Sequence, residues 1–239
     1  MYLSVVIPAY NEEKRIKNTL LSVYEYLSQQ SYEYEIFVVN DGSKDGTAAL
    51  VGNLSAQIKN LRLVDNKENH GKGWVVRQGM LESEGDYRLF MDADNSTTLD
   101  QVGSFLPYFE QGFDIVVGSR RMEGAAIAVK QPWIRDFLGG AFRFVVHTLV
   151  PLGITDSQAG FKCFSRRAVE TIFPKQTIFR WAFDVEILAI ARRLGFKIKE
   201  APIKWVNDAE SKVKLGGMIK MLSEVLRVRL NLWGNKYRG

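Results

Sequence analysis

An α/β fold with a mostly parallel sheet flanked by helices is what this sequence predicts, on three observations. Short runs rich in Val, Ile, Leu, Phe and Tyr alternate with stretches of helical period through the first half. The runs are apolar almost throughout, as suits strands buried between two helix layers. Most of them end in polar residues, and in an open parallel sheet the carboxyl ends of the strands are where ligands bind.

The elements follow in order. "YLSVVIP" reads as the first strand, and "NEE" then starts a helix in which Ile16, Leu20, Val23 and Leu27 recur at helical spacing. "YEIFVVN", "LRLVDN", "YRLFMD" and "FDIVVGS" supply four more strands. "DGTAALVGNLSAQI", "GKGWVVRQGMLES" and "LDQVGSFLPYFEQG" read as helices between them. Such a βαβαβ progression implies right-handed crossovers. Beyond it the spacing predicts a helix over Pro132 to Val150, a short strand in "GFKCFS" and an amphipathic helix in "AFDVEILAIARRLG". A strand in "FKIKEAPIKWV" and a basic amphipathic helix from Met218 to Trp233 complete the chain. Without a repeat, a low-complexity tract or a linker, residues 1–239 read as one domain.

Composition narrows the class. With 239 residues, 46% hydrophobic and 25% charged, the chain can bury a sizeable core. A net charge of +5 fits an anionic substrate or an acidic membrane surface. Cys163, the single cysteine, excludes an intrachain disulfide and a cysteine-based zinc site, and favours a reducing compartment. The chain enters its first strand with no basic leader, and no run of about 18 uncharged apolar residues occurs. These features predict a cytoplasmic protein that does not span a membrane.

Four strand ends build one polar rim: Pro8-Ala9-Tyr10-Asn11-Glu12, Asn40-Asp41-Gly42-Ser43, Asp92-Ala93-Asp94 and Gly118-Ser119-Arg120. Asp92 and Asp94 are one residue apart, so on a strand both carboxylates would face the same way. Two like charges held together call for a cation or a polar ligand between them. A dinucleotide site is excluded, because the turn after the first strand carries Glu12 and Glu13 in place of glycines. No Walker-type loop is present either. In "HGKG", Gly71, Lys72 and Gly73 open a helix where amides and a lysine could face a phosphate or base, or simply make a turn.

The set "VVIPAYNEE", "VVNDGSKDGT", "NHGKGWVVRQGM", "DAD" and "GSR" resembles the family 2 glycosyltransferases of GT-A fold. "ITDSQAGFKCFSR" followed by "RWAFDVEIL" is similar to the dolichyl-phosphate β-glucosyltransferases and, more distantly, the dolichyl-phosphate mannose synthases. The resemblance covers nearly the whole chain. It implies a nucleotide-binding half over about 1–120 and an acceptor-binding half over about 121–239. By position, it implies that Pro8, Tyr10, Asn11, Glu12, Asn40, Asp41, Lys72, Asp92, Ala93 and Asp94 bind the donor, with Ser211 and Lys212 in a loop that closes over it. Asp92 and Asp94 would hold Mg²⁺ or Mn²⁺ on the donor diphosphate. Arg120 and Arg135 would meet the acceptor phosphate, and Asp184 and Asp94 would be catalytic; read from the residues alone, Trp181 beside Asp184 lines the acceptor pocket or packs in the core. The mannose synthases place a glutamine where this chain has Ser96, and the glucosyltransferases carry an amino-terminal membrane anchor for which this chain has no room.

The implied reaction moves a hexose from a nucleotide sugar to a polyprenyl phosphate with inversion. UDP-glucose is the expected donor and GDP-mannose the alternative; no nucleic-acid partner is expected. A nucleotide-sugar-binding protein without transferase activity is the alternative of another class. Hard oxygen ligands suit Mg²⁺ or Mn²⁺, which would neutralise the departing diphosphate. A phosphate monoester is largely ionised near neutrality, so Asp184 can orient it without acting as a strong base.

Other residues read as structural. His70 is expected to be a partly exposed structural histidine, His147 a core residue, and Glu186 a surface charge. In the last helix Ile219, Leu222, Leu226 and Leu230 follow helical spacing, broadened by Met218, Val225 and Trp233. Lys220, Arg227, Arg229, Lys236 and Arg238 oppose one acid, Glu224. That helix can lie peripherally on the cytoplasmic face of a membrane or pack on its own domain.

Overall fold

A computed structural model describes residues 2–127, 140, 143–206 and 215–238. Among the described residues nine strands are formed: β1 (Tyr2–Ala9), β2 (Glu33–Asp41), β3 (Leu61–Asn66), β4 (Tyr87–Met91), β5 (Ile115–Ser119), β6 (Ala126–Ile127), β7 (Phe161–Ser165), β8 (Ile198–Pro202) and β9 (Lys204–Trp205). Seven of them make one sheet in the order β3-β2-β1-β4-β7-β5-β8, and β6 pairs with β9 separately. The helices are α1 (Ile16–Ser28), α2 (Thr47–Ser55), α3 (Lys72–Glu82), α4 (Leu106–Glu110), α5 (143–149), α6 (Arg166–Ile172), α7 (Phe183–Arg193) and α8 (Leu215–Trp233).

Strand side chains alternate in direction, and here both directions are apolar. Leu3, Val5 and Ile7 of β1 join Ile36 and Val38 in a core under α1 and α2. Val6, Phe37, Val39 and Phe90 point the other way, onto α3 and α7. The predicted mostly parallel sheet is therefore observed, with one exception that matters. β7 runs antiparallel to both neighbours, with Phe161 beside Met91 and Ser165 beside Tyr87. Its start thus lies at the carboxyl ends of β4 and β5. The residues that precede it, 156–160, are delivered to the polar rim.

Several elements differ from expectation. "LDQVGSFLPYFEQG" is not one helix but a 3-10 turn, Leu99–Ser104, followed by α4, because Gly103 weakens the run and Pro107 restarts it at a helix amino end. "FKIKEAPIKWV" breaks at Ile203, whose amide turns back to the Ser119 carbonyl, so β9 leaves the main sheet for β6. α6 was not expected; Ser165 caps it by accepting from the Ala168 amide at 3.3 Å. Of the helix predicted over 132–150, α5 is present, and 132–139 lies outside the described residues. β4 stops at Met91, so Asp92 and Asp94 sit in a turn and not on the strand.

Glu186 is no surface charge. It is fully buried in α7 and accepts from the Thr177 amide (2.9 Å), the Thr177 hydroxyl (2.5 Å), the Ile178 amide (2.7 Å) and the Tyr237 hydroxyl (2.7 Å). Asn231 of α8 donates to both the Tyr237 and Thr177 hydroxyls. Four donors satisfy the carboxylate without a cation, as a buried charge requires. Burial, then the Glu186 charge, pushes the Tyr237 hydroxyl well above its ordinary pKa, so it stays a donor. Tyr237→Phe should lower stability by about 1.5–3 kcal/mol, the worth of a hydrogen bond to a charged group, as a fall in the urea midpoint at unchanged slope. A variant as stable as the parent would show that the tail is not anchored there.

Candidate active site

The rim is stitched together before any ligand arrives. After β1, Asn11 takes a left-handed backbone (φ 54°). Its amide donates to the Ser43 hydroxyl at 2.9 Å, and its side-chain carbonyl accepts from the Lys44 amide at 2.8 Å. The Glu12 amide donates to Thr47, and the Glu12 carboxylate pairs with Arg15. Pro8 is buried in β1 and Tyr10 stands exposed at the lip.

Asn40 and Asp41 lie below that lip, both almost fully buried. Asn40 donates to Asp65 at 2.7 Å and accepts from Ser43. Asp41 accepts from the Asn69 side chain (2.8 Å), the His70 amide (2.7 Å) and the Gly71 amide (3.0 Å). Burial raises the Asp41 pKa, and the two amides and the nearby charge of Arg180 oppose the rise. These two side chains are thus engaged in building the wall and in holding the turn at the head of α3. Gly71 has φ 101°, and a Cβ there would meet the Phe179 carbonyl oxygen at 2.5 Å. His70 is exposed and leans on Trp74, 4.3 Å between ring centres, as a structural histidine would.

Lys72, the first residue of α3, reaches Asp92 at 2.5 Å. Burial alone would lower its pKa, but Asp92, Asp184 and Asp94 outweigh that and raise it. Between the two aspartates, Ala93 is buried, with its carbonyl accepting from Thr19 at 2.7 Å. Asp94 accepts from the Ser96 amide at 2.9 Å. Burial first, and then the charge of Asp92, raise its pKa, as expected of like charges held close. The neighbouring Asn95 Oδ1 is buried with no hydrogen-bond partner among the described residues.

Behind this turn runs the segment that leads into β7. Gly160 lies so close to Asp92 that a Cβ would fall 2.0 Å from Oδ2. Two residues on, fully buried Lys162 donates to Asp184 and to the Ala159 carbonyl, both at 2.5 Å, and lies 5.3 Å over the Phe90 ring. Burial lowers the Lys162 pKa and raises that of Asp184, and the attraction between the two opposes both shifts. At the start of the segment Asp156 takes Nε and Nη2 of Arg120 at 2.7 and 2.8 Å. The Nε–Nη2 face of Arg120 is therefore committed to Asp156, and the guanidinium stacks 5.3 Å from Trp205, so among the described residues the opposite, Nη1 edge is left for an acceptor.

Lys72, Lys162 and Arg120 thus face Asp92, Asp94, Asp156 and Asp184 in one electrostatic cluster. Trp181 stands 38% exposed two residues before α7, beside exposed Arg180. Arg135, Ser211 and Lys212 lie outside the described residues. No role was expected of Asp156, Gly160 or Lys162, although all three lie in "ITDSQAGFKCFSR", or of Arg180 in "RWAFDVEIL", the two stretches that carry the resemblance to the glucosyltransferases.

Among the described residues no cluster of three His, Cys, Asp or Glu side chains could hold a metal ion. Asp92 and Asp94 fit a hard divalent ion only as a partial ligand set, completed by diphosphate oxygens and water.

Gly160→Ala should force the Asp92 carboxylate out of place and off Lys72, lowering stability by about 1–3 kcal/mol, the cost of overpacking, read as a fall in the urea midpoint. An unchanged midpoint would show that Asp92 has room to move. Asp156 gives a pH test. Burial would raise its pKa, but the hydrogen bonds and charge of Arg120 hold it below its ordinary 3.8. Its stabilisation is therefore complete above about pH 4 and disappears as pH falls toward the lowered value. Asp156→Asn should remove that part of the acid limb in denaturation curves taken from pH 5 downward.

Residues 4–173 match the family Glycosyl transferase family 2. The chain is 39% identical over 250 residues to dolichyl-phosphate beta-glucosyltransferase ALG5C of Trichomonas vaginalis, covering 98% of this chain and 73% of that protein. Against dolichyl-phosphate beta-glucosyltransferase of Homo sapiens it is 34% identical over 99% of this chain and 77% of the relative. Mannosyl-3-phosphoglycerate synthase from Rubrobacter xylanophilus superposes with a TM-score of 0.74 at 18% identity, over 98% of this chain and 75% of that one. Glucosyl-3-phosphoglycerate synthase of Mycobacterium tuberculosis, solved with Mn²⁺, UDP and glucosyl-3-phosphoglycerate, gives 0.67 at 20% identity, over 98% and 80%. These structures share the GT-A architecture. The chain belongs to glycosyltransferase family 2.

Proposed function

We propose that this glycosyltransferase moves glucose from UDP-glucose to a polyprenyl phosphate, with inversion and with Mg²⁺ or Mn²⁺, while touching a membrane peripherally. The observation that supports it best is the close grouping of Asp92 and Asp94 with the buried Lys162–Asp184 pair. A metal half and an acceptor half then meet within one sheet rim. Residues up to about 120 hold the donor and 121–239 the acceptor, within one domain.

Tyr10, Asn11 and Glu12 form the lip for the nucleotide, on the wall that Pro8, Asn40 and Asp41 build. Asp92 and Asp94, spaced by Ala93, hold the divalent ion against the diphosphate. When bound, that ion supplies neutralisation of the leaving group. Lys72, now paired with Asp92, can exchange that carboxylate for a diphosphate oxygen. Ser211 and Lys212 are assigned to the donor by the family resemblance alone.

On the acceptor side, Arg120 through its remaining edge, Arg135, and Trp181 receive the phosphate and the first isoprene units. The acceptor arrives ionised, so no strong base is needed. Asp184, fixed by Lys162, keeps the attacking oxygen in line with the anomeric carbon, opposite the leaving diphosphate. Among the described residues no helix is long and apolar enough to cross a membrane.

The test is incubation with a panel of nucleotide sugars and polyprenyl phosphates, with mass spectrometry of the lipid product. A hexosyl-phospho-polyprenyl product formed from UDP-glucose is expected; preferential transfer from GDP-mannose would overturn the donor assignment. Asp94→Asn removes a charge while keeping the side chain's size, and should cut turnover on the order of hundredfold or more. Excess chelator should abolish transfer and added Mn²⁺ restore it. Full activity in chelator would rule out the metal role.

A further inference from the structure

α8 has two apolar sides, and the described residues cover only one. Val225 and Val228 are fully buried, and Met221 and Leu232 pack against the same core. Leu226, Leu230 and Trp233, on another side of the helix, are 45%, 61% and 67% exposed. Val225 therefore does not belong with Leu226 and Leu230, as simple periodicity suggested. The side chains of Met218 and Ile219 lie outside the described residues. Exposed Lys220 and Arg227 and the Arg229 guanidinium, 4.5 Å over the Trp233 ring, border the outer stripe.

The one acid of this helix does not face that side. Glu224 Oε2 accepts from the amides of Trp181 (3.1 Å) and Ala182 (2.9 Å). Ala182 is the cap residue of α7 and has no side-chain oxygen with which to cap it. Amides at a helix amino end lack intrahelical partners and favour a carboxylate. Glu224 thus provides, from a different helix, the end group that α7 lacks. The amides it holds lie just before Asp184 and include that of Trp181.

We propose that Glu224 is a positioning residue that converts seating of the outer face of α8 on an anionic bilayer into placement of Trp181 and Asp184. This rests on the reading that the acceptor is membrane-borne. The occupant of the stripe is a lipid surface because basic residues border the exposed apolar ones while the opposing acid is turned inward. Any shift of α8 as it docks moves the acceptor oxygen to which the α7 amino end is bonded. Docking and assembly of the acceptor side are then one event.

Hydrogen exchange at the Trp181 and Ala182 amides reports this directly in the full chain, without and with vesicles of phosphatidylcholine alone or mixed with phosphatidylserine. Anionic vesicles should slow exchange at these two amides by about tenfold in the parent. Glu224→Gln, which keeps an acceptor oxygen, should retain the response, and Glu224→Ala should lose it while still co-sedimenting with the vesicles. In transfer assays Glu224→Ala should lower kcat for vesicle-borne acceptor while the UDP dissociation constant stays the same. Co-sedimentation of the parent without altered exchange, an equal response in Glu224→Ala, or no co-sedimentation at all would each overturn the proposal. Absence of transfer beside an intact exchange response would count against the acceptor reading alone.

Discussion

Lys162 is a lysine inside a protein core, and Asp184 is the carboxylate that makes its burial tolerable. An unpaired charge there would cost several kcal/mol, so β7 and the first turn of α7 must stay together. β7 is in turn wedged between β4 and β5. One ion pair therefore ties α7 to the middle of the sheet. The same short segment aligns two further groups, through Asp156 on Arg120 and Gly160 on Asp92. Three charged side chains from three separate parts of the chain are held in register by seven consecutive residues.

A second constraint runs across the rim. The strap over residues 176–182 is fastened to the head of α3 by Gln176 on the Gly73 carbonyl and by the Trp74 amide on Phe179. Glu186 and Glu224 fasten it from the other side. Phe179, Arg180 and Trp181 can remain exposed because the backbone beneath them is bonded at both ends. This is how an irregular segment supports aromatic and cationic side chains without secondary structure of its own.

The strands and the turn with its paired carboxylates were legible in the sequence, for physical reasons. A strand covered on both faces is apolar throughout, and a pair of carboxylates at its end is conspicuous. Asn40 and Asp41 show where that logic stops: their place at the rim was readable, but their direction, into the wall, depends on Asp65 and the 69–71 turn. Asp156, Gly160 and Lys162 escaped because their partners Arg120, Asp92 and Asp184 reach them only through the antiparallel insertion of β7 between β4 and β5 and the packing of α7, about which local periodicity is silent. α6 is too short for its period to show. The last helix misled differently, since a single helical pattern merged an inner apolar face with an outer one.

Cys163 sits next to Lys162 on β7, its thiol fully buried and pushed by burial well above its ordinary pKa. It is the only thiol in the chain. A thiol-reactive dye can reach it only when β7 parts from β4 and β5. The rate of labelling is therefore a clock for the opening of the central strand, native to the molecule. The same burial keeps the thiol un-ionised, so oxidants that act on exposed thiolates have no purchase at the heart of this fold.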